Sequence, residues 1–336
     1  MSDIWRIQTK PASKNNESVA SFFIQNNIAA VGWSLKDDLF ENKVELKNER
    51  SKISNYKEYE EIAKKFYPEI NNVKRLAIDL KENDLIWMRY KGIYYLAKIN
   101  KNSDYKFSDI KEHREDNDSA NQRTNVKWYR VGDESSVPGK VATAFIRGKT
   151  LQRISKDQKG VLEFSQAKYN EIIEKNKLNE EKYKIEIKDD YETFFNYIRP
   201  EGCEDLLCML LLKKYGYIVI PSTNKLSTEL YECILLNSEN GNKIYIQVKN
   251  GNEDLKSDNY KHLIEEKTEK VYLLTIKGKI DENSTTDKDE VFEVSKNIFG
   301  VNPQKLYEFV MDEENKNIIP ENIKNWIDYI KTYSNK

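Results

Sequence analysis

Gln247 and Lys249 stand two apart in the run IYIQVKN. In a strand alternate side chains share a face, so the carboxamide and the ammonium project together while Val248 turns into the core. The preceding run, LYECILL, places Glu232 among apolar neighbours, and the turn NSENGN brings it antiparallel to the Gln247 strand. Fifteen residues separate the two (247 − 232), room for one hairpin. Upstream, Glu204 lies on a helix whose Leu207, Leu210 and Leu211 face the core, and that helix can bring its carboxylate to the others. A hard divalent cation such as Mg2+ or Mn2+ takes oxygen ligands, which Glu204, Glu232, the Gln247 carbonyl and the Val248 backbone carbonyl can supply. Such a cation activates a bound water and neutralises the charge that develops on a phosphodiester. Lys249 then orients or deprotonates that water, or stabilises the added charge. The chemistry expected is metal-dependent hydrolysis of nucleic acid.

Each residue also has a plainer reading. Gln-x-Lys alone describes many half-exposed edge strands, and Glu204 alone suits the positive end of a helix dipole. Glu232 beside CILL is harder to dismiss, because a carboxylate among buried neighbours costs several kcal/mol unless it is paired or metal-bound. A structural polar network is the alternative to a nuclease site.

Composition narrows the chemistry further. The only histidines are His113 and His262, which makes a Ser-His-Asp triad or a His-rich zinc centre improbable. Cys203, Cys208 and Cys233 lack paired CxxC spacing and read as reduced core residues. The formal net charge of -1 leaves room for one local basic face but not for a wholly basic surface. The opening MSDIWRIQTK has no apolar h-region, and no stretch nears the roughly 18 apolar residues of a spanning helix, so a cytoplasmic protein without a membrane partner is expected.

At 336 residues the chain is long for one core, and three segments are expected: a domain over 1–160, a helical linker over 161–190 and a domain over 191–336. In the first, KEYEEIAKKFYPEI puts Tyr59, Ile62, Ala63 and Phe66 at helical spacing, DLIWMRY and GIYYLAKI form a hairpin about Lys91-Gly92, and VATAFIR reads as a strand. SQAKYNEIIEKN gives the linker helix, and Asp189 or Asp190 caps YETFFNYIRP. The second domain then reads as helix (201–215), strand (216–220), strand (230–236), turn (237–242), strand (243–249), helix (258–266) and strand (270–276), followed by VFEV and two helices. KIDENSTTDKDE is expected to be a flexible loop.

The order from GCEDLLCMLLLKKYGYIVI through LYECILL to IYIQVKNG resembles the PD-(D/E)xK nucleases, and within them the Mrr-type restriction endonucleases that carry QxK as the third element. The resemblance covers about fifty residues and implies an α/β/α domain with a mixed central sheet. It gives Glu204 the helix carboxylate position, Glu232 the principal metal position, and Gln247 and Lys249 the QxK positions. Glu232 replaces the usual Asp, and STELYE lacks the Gly-Asp setting common in that type. AAVGWSL, DLKENDLIWMRYKGIYYLAKI and SSVPGKVATAFIRGKTLQRI resemble a PUA-superfamily domain of the EVE type, which implies a small β-barrel with helices holding a flipped, often modified base. The fold class expected is therefore α+β followed by α/β.

In the first domain Trp33, Trp87 and Trp128 are candidates for the stacking platform, with Ser34 and Asp84 nearby and Trp5 a further aromatic. Arg89, Lys98, Arg123, Arg147 and Arg153 are candidates for phosphate contact. Together the resemblances imply a modification-dependent restriction endonuclease acting on DNA with Mg2+ or Mn2+, as a homodimer if it breaks both strands. Two alternatives stay open: a non-catalytic reader of modified nucleic acid, and an antiphage effector nuclease whose first domain senses another ligand.

Overall fold

The computed structural model describes residues 2–9, 18–41, 43–146, 149–154, 159–220, 231–264 and 269–334. They fall into two units, one of Met1–Val137 with Val141–Ile185, the other of Pro138–Lys140 with Glu186–Lys336. Both mix helices and strands, so the chain is of the general α+β class. Among the described residues no helix is long and apolar enough to cross a membrane.

The chain begins with β1 (Ile4–Ile7), α1 (Val19–Asn26) and β2 (Ala29–Val31), followed by α2 (Val44–Arg50), α3 (Tyr56–Ala63) and α4 (Asn71–Lys74). The hairpin β3 (Leu85–Tyr90) and β4 (Ile93–Lys98) forms as its pattern requires, with Lys91 and Gly92 both at positive φ, 48° and 76°, the backbone that a tight two-residue turn needs. Next come β5 (Tyr105–Phe107), β6 (Asn121–Arg123), β7 (Tyr129–Gly132), α5 (Gly139–Ala144), β8 (Leu151–Ile154) and α6 (Lys159–Asn176). One open sheet runs β7-β4-β3-β1-β8 and a second runs β2-β6-β5, so the eight strands do not close into the expected barrel. β7 and β8 are the two edges of the larger sheet.

Two other expectations change here. Of the strand-like VATAFIR, Val141–Ala144 belong to α5, where Val141 and Ala142 are buried side by side rather than in alternation; Phe145 follows the helix and meets Tyr94 edge-on at 5.6 Å, and Arg147 lies outside the described residues. The helix expected in a linker lies inside the first unit: α6 stacks Phe164 along Trp87, and Ser165 Oγ takes the indole N–H of Trp87 at 3.0 Å.

The second unit opens with α7 (Tyr191–Tyr197), capped by Asp190, whose side chain accepts from Thr193 N. α8 (Pro200–Tyr215) starts with proline in its first turn and stops at Gly216, whose φ of 69° ends the helix at low cost. Then follow β9 (Tyr217–Val219), β10 (Cys233–Asn237), β11 (Lys243–Lys249), β12 (Lys270–Thr275), β13 (Val291–Ser295), β14 (Ile298–Val301), α9 (Pro303–Met311) and α10 (Glu321–Ser334). They make one mixed sheet in the order β13-β14-β12-β11-β10-β9. β10 is antiparallel to β9 and β11, whereas β11, β12 and β14 run parallel.

The expected helix over 258–266 is a 3-10 segment, Ser257–Leu263, and residues 265–266 lie outside those described, as does Leu230 at the start of the expected strand. KIDENSTTDKDE is anchored rather than free. Ile280 is buried, Leu255 N–H bonds the Lys279 carbonyl, and Asn302 Nδ2 donates to the carbonyls of Thr286 and Lys288.

Candidate active site

The β10–β11 hairpin sets the site. Its register pairs Cys233 with Ile246, and the Glu232 N–H continues the ladder to the Ile246 carbonyl at 2.9 Å. One step further along that register, Glu232 and Gln247 meet on the same face. Gln247 Nε2 donates to Glu232 Oε1 at 2.9 Å. Gln247 is 1% exposed, and its buried Oε1 has no hydrogen-bond partner among the described residues. Val248 between the polar pair is buried, and Lys249 points its half-exposed ammonium to within 3.9 Å of Glu253.

α8 brings the third group. Cys203, Leu206, Leu207, Leu210 and Leu211 are buried and hold the helix on its unit's core, leaving Glu204 half-buried. Cys208, one turn beyond Glu204, places its Sγ 3.9 Å from that of Cys233, the neighbour of Glu232. The face of α8 that bears Glu204 is thereby turned toward the start of β10. Burial pushes the Glu204 carboxyl up to about 7, and the charges of Glu232, Glu201 and Asp205 add to it, while Lys249 opposes. Glu204, Glu232 and Lys249 thus share one electrostatic neighbourhood, which Gln247 joins through its bond to Glu232. The three cysteines are free and buried, as inert core thiols should be.

The donors gathered here are oxygen atoms, which suit a hard cation. Among the described residues no three His, Cys, Asp or Glu side chains form a metal-holding group, so a cation at Glu204 and Glu232 needs a further oxygen. Gln247 Oε1, desolvated and without a donor among the described residues, is such an oxygen. A buried carbonyl left unpaired forfeits about 1–3 kcal/mol, which a cation or an ordered water would recover.

Two neighbours escaped the sequence. Tyr260, from the 3-10 segment, has its hydroxyl pKa raised by burial and by the charge of Glu232. Asn250 follows Lys249 and pins the end of β11 through its side chain. Its place directly after QVK was the only available signal.

The first unit contains a cavity of about 720 Å³ whose walls include Phe23, Trp33, Lys36, Asp38, Tyr67 and Asp118. Trp33 has a positive φ of 60°, and its carbonyl accepts from Tyr59 Oη at 2.8 Å. A Cβ at Gly32 would stand 2.8 Å from Asp118 Oδ2, so a side chain there would displace that carboxylate. Arg50 braces the same wall from behind, donating to the Leu35 carbonyl and to Asp37 at 2.9 Å each. Burial tends to raise the Asp37 pKa, but the Arg50 hydrogen bond and the charges of Arg114, Arg50 and Lys47 hold it down to about 2.

The other expected base-pocket residues do not line this cavity. Trp87 is fully buried against α6, and Trp128 gives its indole N–H to the Ile28 carbonyl at 2.7 Å. Ser34 is buried and accepts from Ala120 N. Asp84 accepts from Asp3 N, Lys81 N and the Trp5 indole, which fastens β1 to the start of β3. Each spends its polar group inside the unit, and of the expected set only Trp33 lines the cavity.

The expected phosphate contacts divide similarly. Arg123 is spent on the carbonyls of Leu76, Ala77, Leu80 and Ser103. Arg89 pairs with Glu134, Lys98 with Glu180, and Arg153 with Asp3, while Arg147 lies outside the described residues. Compared with known protein families, curated proteins and solved structures, the chain matches none.

Proposed function

We propose that this chain is a modification-dependent endonuclease: its second unit hydrolyses DNA and its first unit holds a modified base. The observation that carries the nuclease reading is the convergence of Glu204, Glu232, Gln247 and Lys249, with the buried Gln247 oxygen finding no hydrogen-bond partner among the described residues. The helix α8 ahead of a mixed sheet, with Glu232 leading into β10 and QVK at the end of β11, supports a restriction-endonuclease-like α/β/α domain.

Glu204, Glu232, the Gln247 oxygen and the Val248 carbonyl would hold Mg2+ or Mn2+. When bound, that ion supplies Lewis acidity and a water of lowered pKa. Gln247 keeps Glu232 oriented through its amide. Lys249 holds a proton beside the attacking water and offers positive charge to the phosphate as negative charge develops. Such a site touches phosphate and carries little sequence information, so selectivity needs a separate reader.

The cavity of about 720 Å³ supports that role in the first unit, since small-molecule pockets span roughly 300–1,000 Å³. Trp33 offers an aromatic face for stacking a flipped base. The test is incubation with unmodified, methylcytosine-containing and hydroxymethylcytosine-containing DNA, with and without Mg2+. Cutting confined to a modified duplex and to Mg2+ supports the proposal. Equal cutting of unmodified DNA points instead to an effector nuclease, and binding without cutting to a reader.

A further inference from the structure

The end of β11 is held by its own latch. Asn250, directly after Lys249, turns its Nδ2 onto the carbonyls of Ile198 and Phe195 at 3.0 and 3.3 Å. Those carbonyls belong to the end of α7 and the residue before Arg199, which is the N-cap of α8. The carbonyl of Asn250 in turn accepts from Lys140 Nζ at 2.8 Å.

Lys140 reaches this place with the Pro138–Lys140 segment of the second unit. That segment abuts the same turn so closely that a Cβ on Gly139 would stand 2.7 Å from the Ile198 carbonyl oxygen and 2.8 Å from Arg199 N and Cα. One short segment therefore grips both the strand that ends in Lys249 and the turn from which α8, bearing Glu204, departs. The ammonium is half-buried, and Cys203, Lys277 and Glu253 lie within its electrostatic reach. A charged donor to a carbonyl in such surroundings makes a stronger bond than a neutral one.

We infer that Lys140 is a positioning residue of the proposed nuclease site: by holding the Asn250 carbonyl while Gly139 abuts the Ile198–Arg199 turn, it fixes Lys249 relative to Glu204. The inference rests on the nuclease reading of those residues. Lys140 needs no contact with metal or phosphate for this. Misplacing a catalytic group by about 1 Å can cost 100-fold in rate, and removing an outer partner of a metal site commonly costs about 10- to 100-fold in affinity or activity.

The test uses the full chain as wild type, K140R and K140M. Two quantities are read: Mn2+ affinity by calorimetry without DNA, and kcat and KM for Mg2+-dependent cleavage of a methylcytosine-containing duplex. K140M is expected to weaken Mn2+ binding about tenfold and to lower kcat about 10- to 100-fold with KM unchanged. K140R, which still donates to the carbonyl, is expected to restore most of both. Should K140M fail to fold, K140A, which likewise lacks the donor, is read by the same numbers. Wild-type values in the variant that lacks the donor overturn the inference, as does K140R failing as badly as K140M. A wild-type chain that neither binds Mn2+ nor cuts overturns the nuclease reading, and this inference with it.

Discussion

Gln247 donates its amide Nε2 to Oε1 of Glu232 at 2.9 Å, and its own buried Oε1 has no partner among the described residues. A glutamine confined to packing would pair both ends of its amide or expose one. Changing it to a third carboxylate places like charge beside Glu232 and near Glu204, which only a cation or a proton can relieve. Q247E is therefore expected to melt below wild type in metal-free buffer and to gain more than wild type when Mg2+ or Mn2+ is added. A cation at a hundred times its Kd adds about 2.7 kcal/mol to the folded state. Thermal melts of both proteins with and without metal check this, and melts that ignore metal in both count against a cation at this site.

Glu204 gives the site a pH signature. Burial, then the neighbouring acids, raise its carboxyl from 4.5 to about 7 in the folded chain. The folded state thus binds an extra proton between those values, so in the absence of metal this group's effect is to lower stability as pH rises from about 4.5 to about 7. E204Q lacks that loss. Its melting temperature relative to metal-free wild type is expected to climb between pH 5 and pH 8, while wild-type Mn2+ affinity rises over the same range as the proton is given up. A melting difference that stays constant with pH contradicts this assignment.

In the first unit, two tryptophans should separate binding from stability. W33A is expected to leave the fold intact and to weaken binding of a methylcytosine-containing duplex by about 1–3 kcal/mol, the range for one base stacked on an aromatic ring. W87A empties a fully buried site against Phe164 and Ser165 and is expected to cost about 3–5 kcal/mol of stability. Fluorescence-anisotropy binding and urea melts of the two variants check the pair. W33A binding as wild type removes Trp33 from the reader.

The second unit was the more legible because its signals are local. Alternation in IYIQVKN and the turn NSENGN fix which side chains of adjacent strands meet, so Glu232 and Gln247 come together as their spacing requires. The first unit depends on partners that sequence does not bring near. Trp87 alternates on a strand as a pocket aromatic would, yet its indole is satisfied by Ser165, 78 residues away. Asp84, adjacent to Asn83 in a turn, looked available but is consumed by backbone donors and the Trp5 indole. VATAFIR has strand-like composition, and adjacent burial of Val141 and Ala142, rather than alternation, goes with the helical form of its first four residues. Lys140, 64 residues before Glu204 (204 − 140), carried no sequence signal for its bond to Asn250.

The central claim is that Glu232 and Lys249, with Glu204 and Gln247, hydrolyse DNA. It is tested most directly by Mg2+-dependent cleavage of a methylcytosine- or hydroxymethylcytosine-containing duplex by wild type, E232A and K249A, each shown by thermal melt to be folded. Cleavage by wild type, with loss of at least 100-fold in both variants and retained duplex binding, is the predicted result. Cleavage that persists in E232A or K249A would place the chemistry elsewhere and contradict the account.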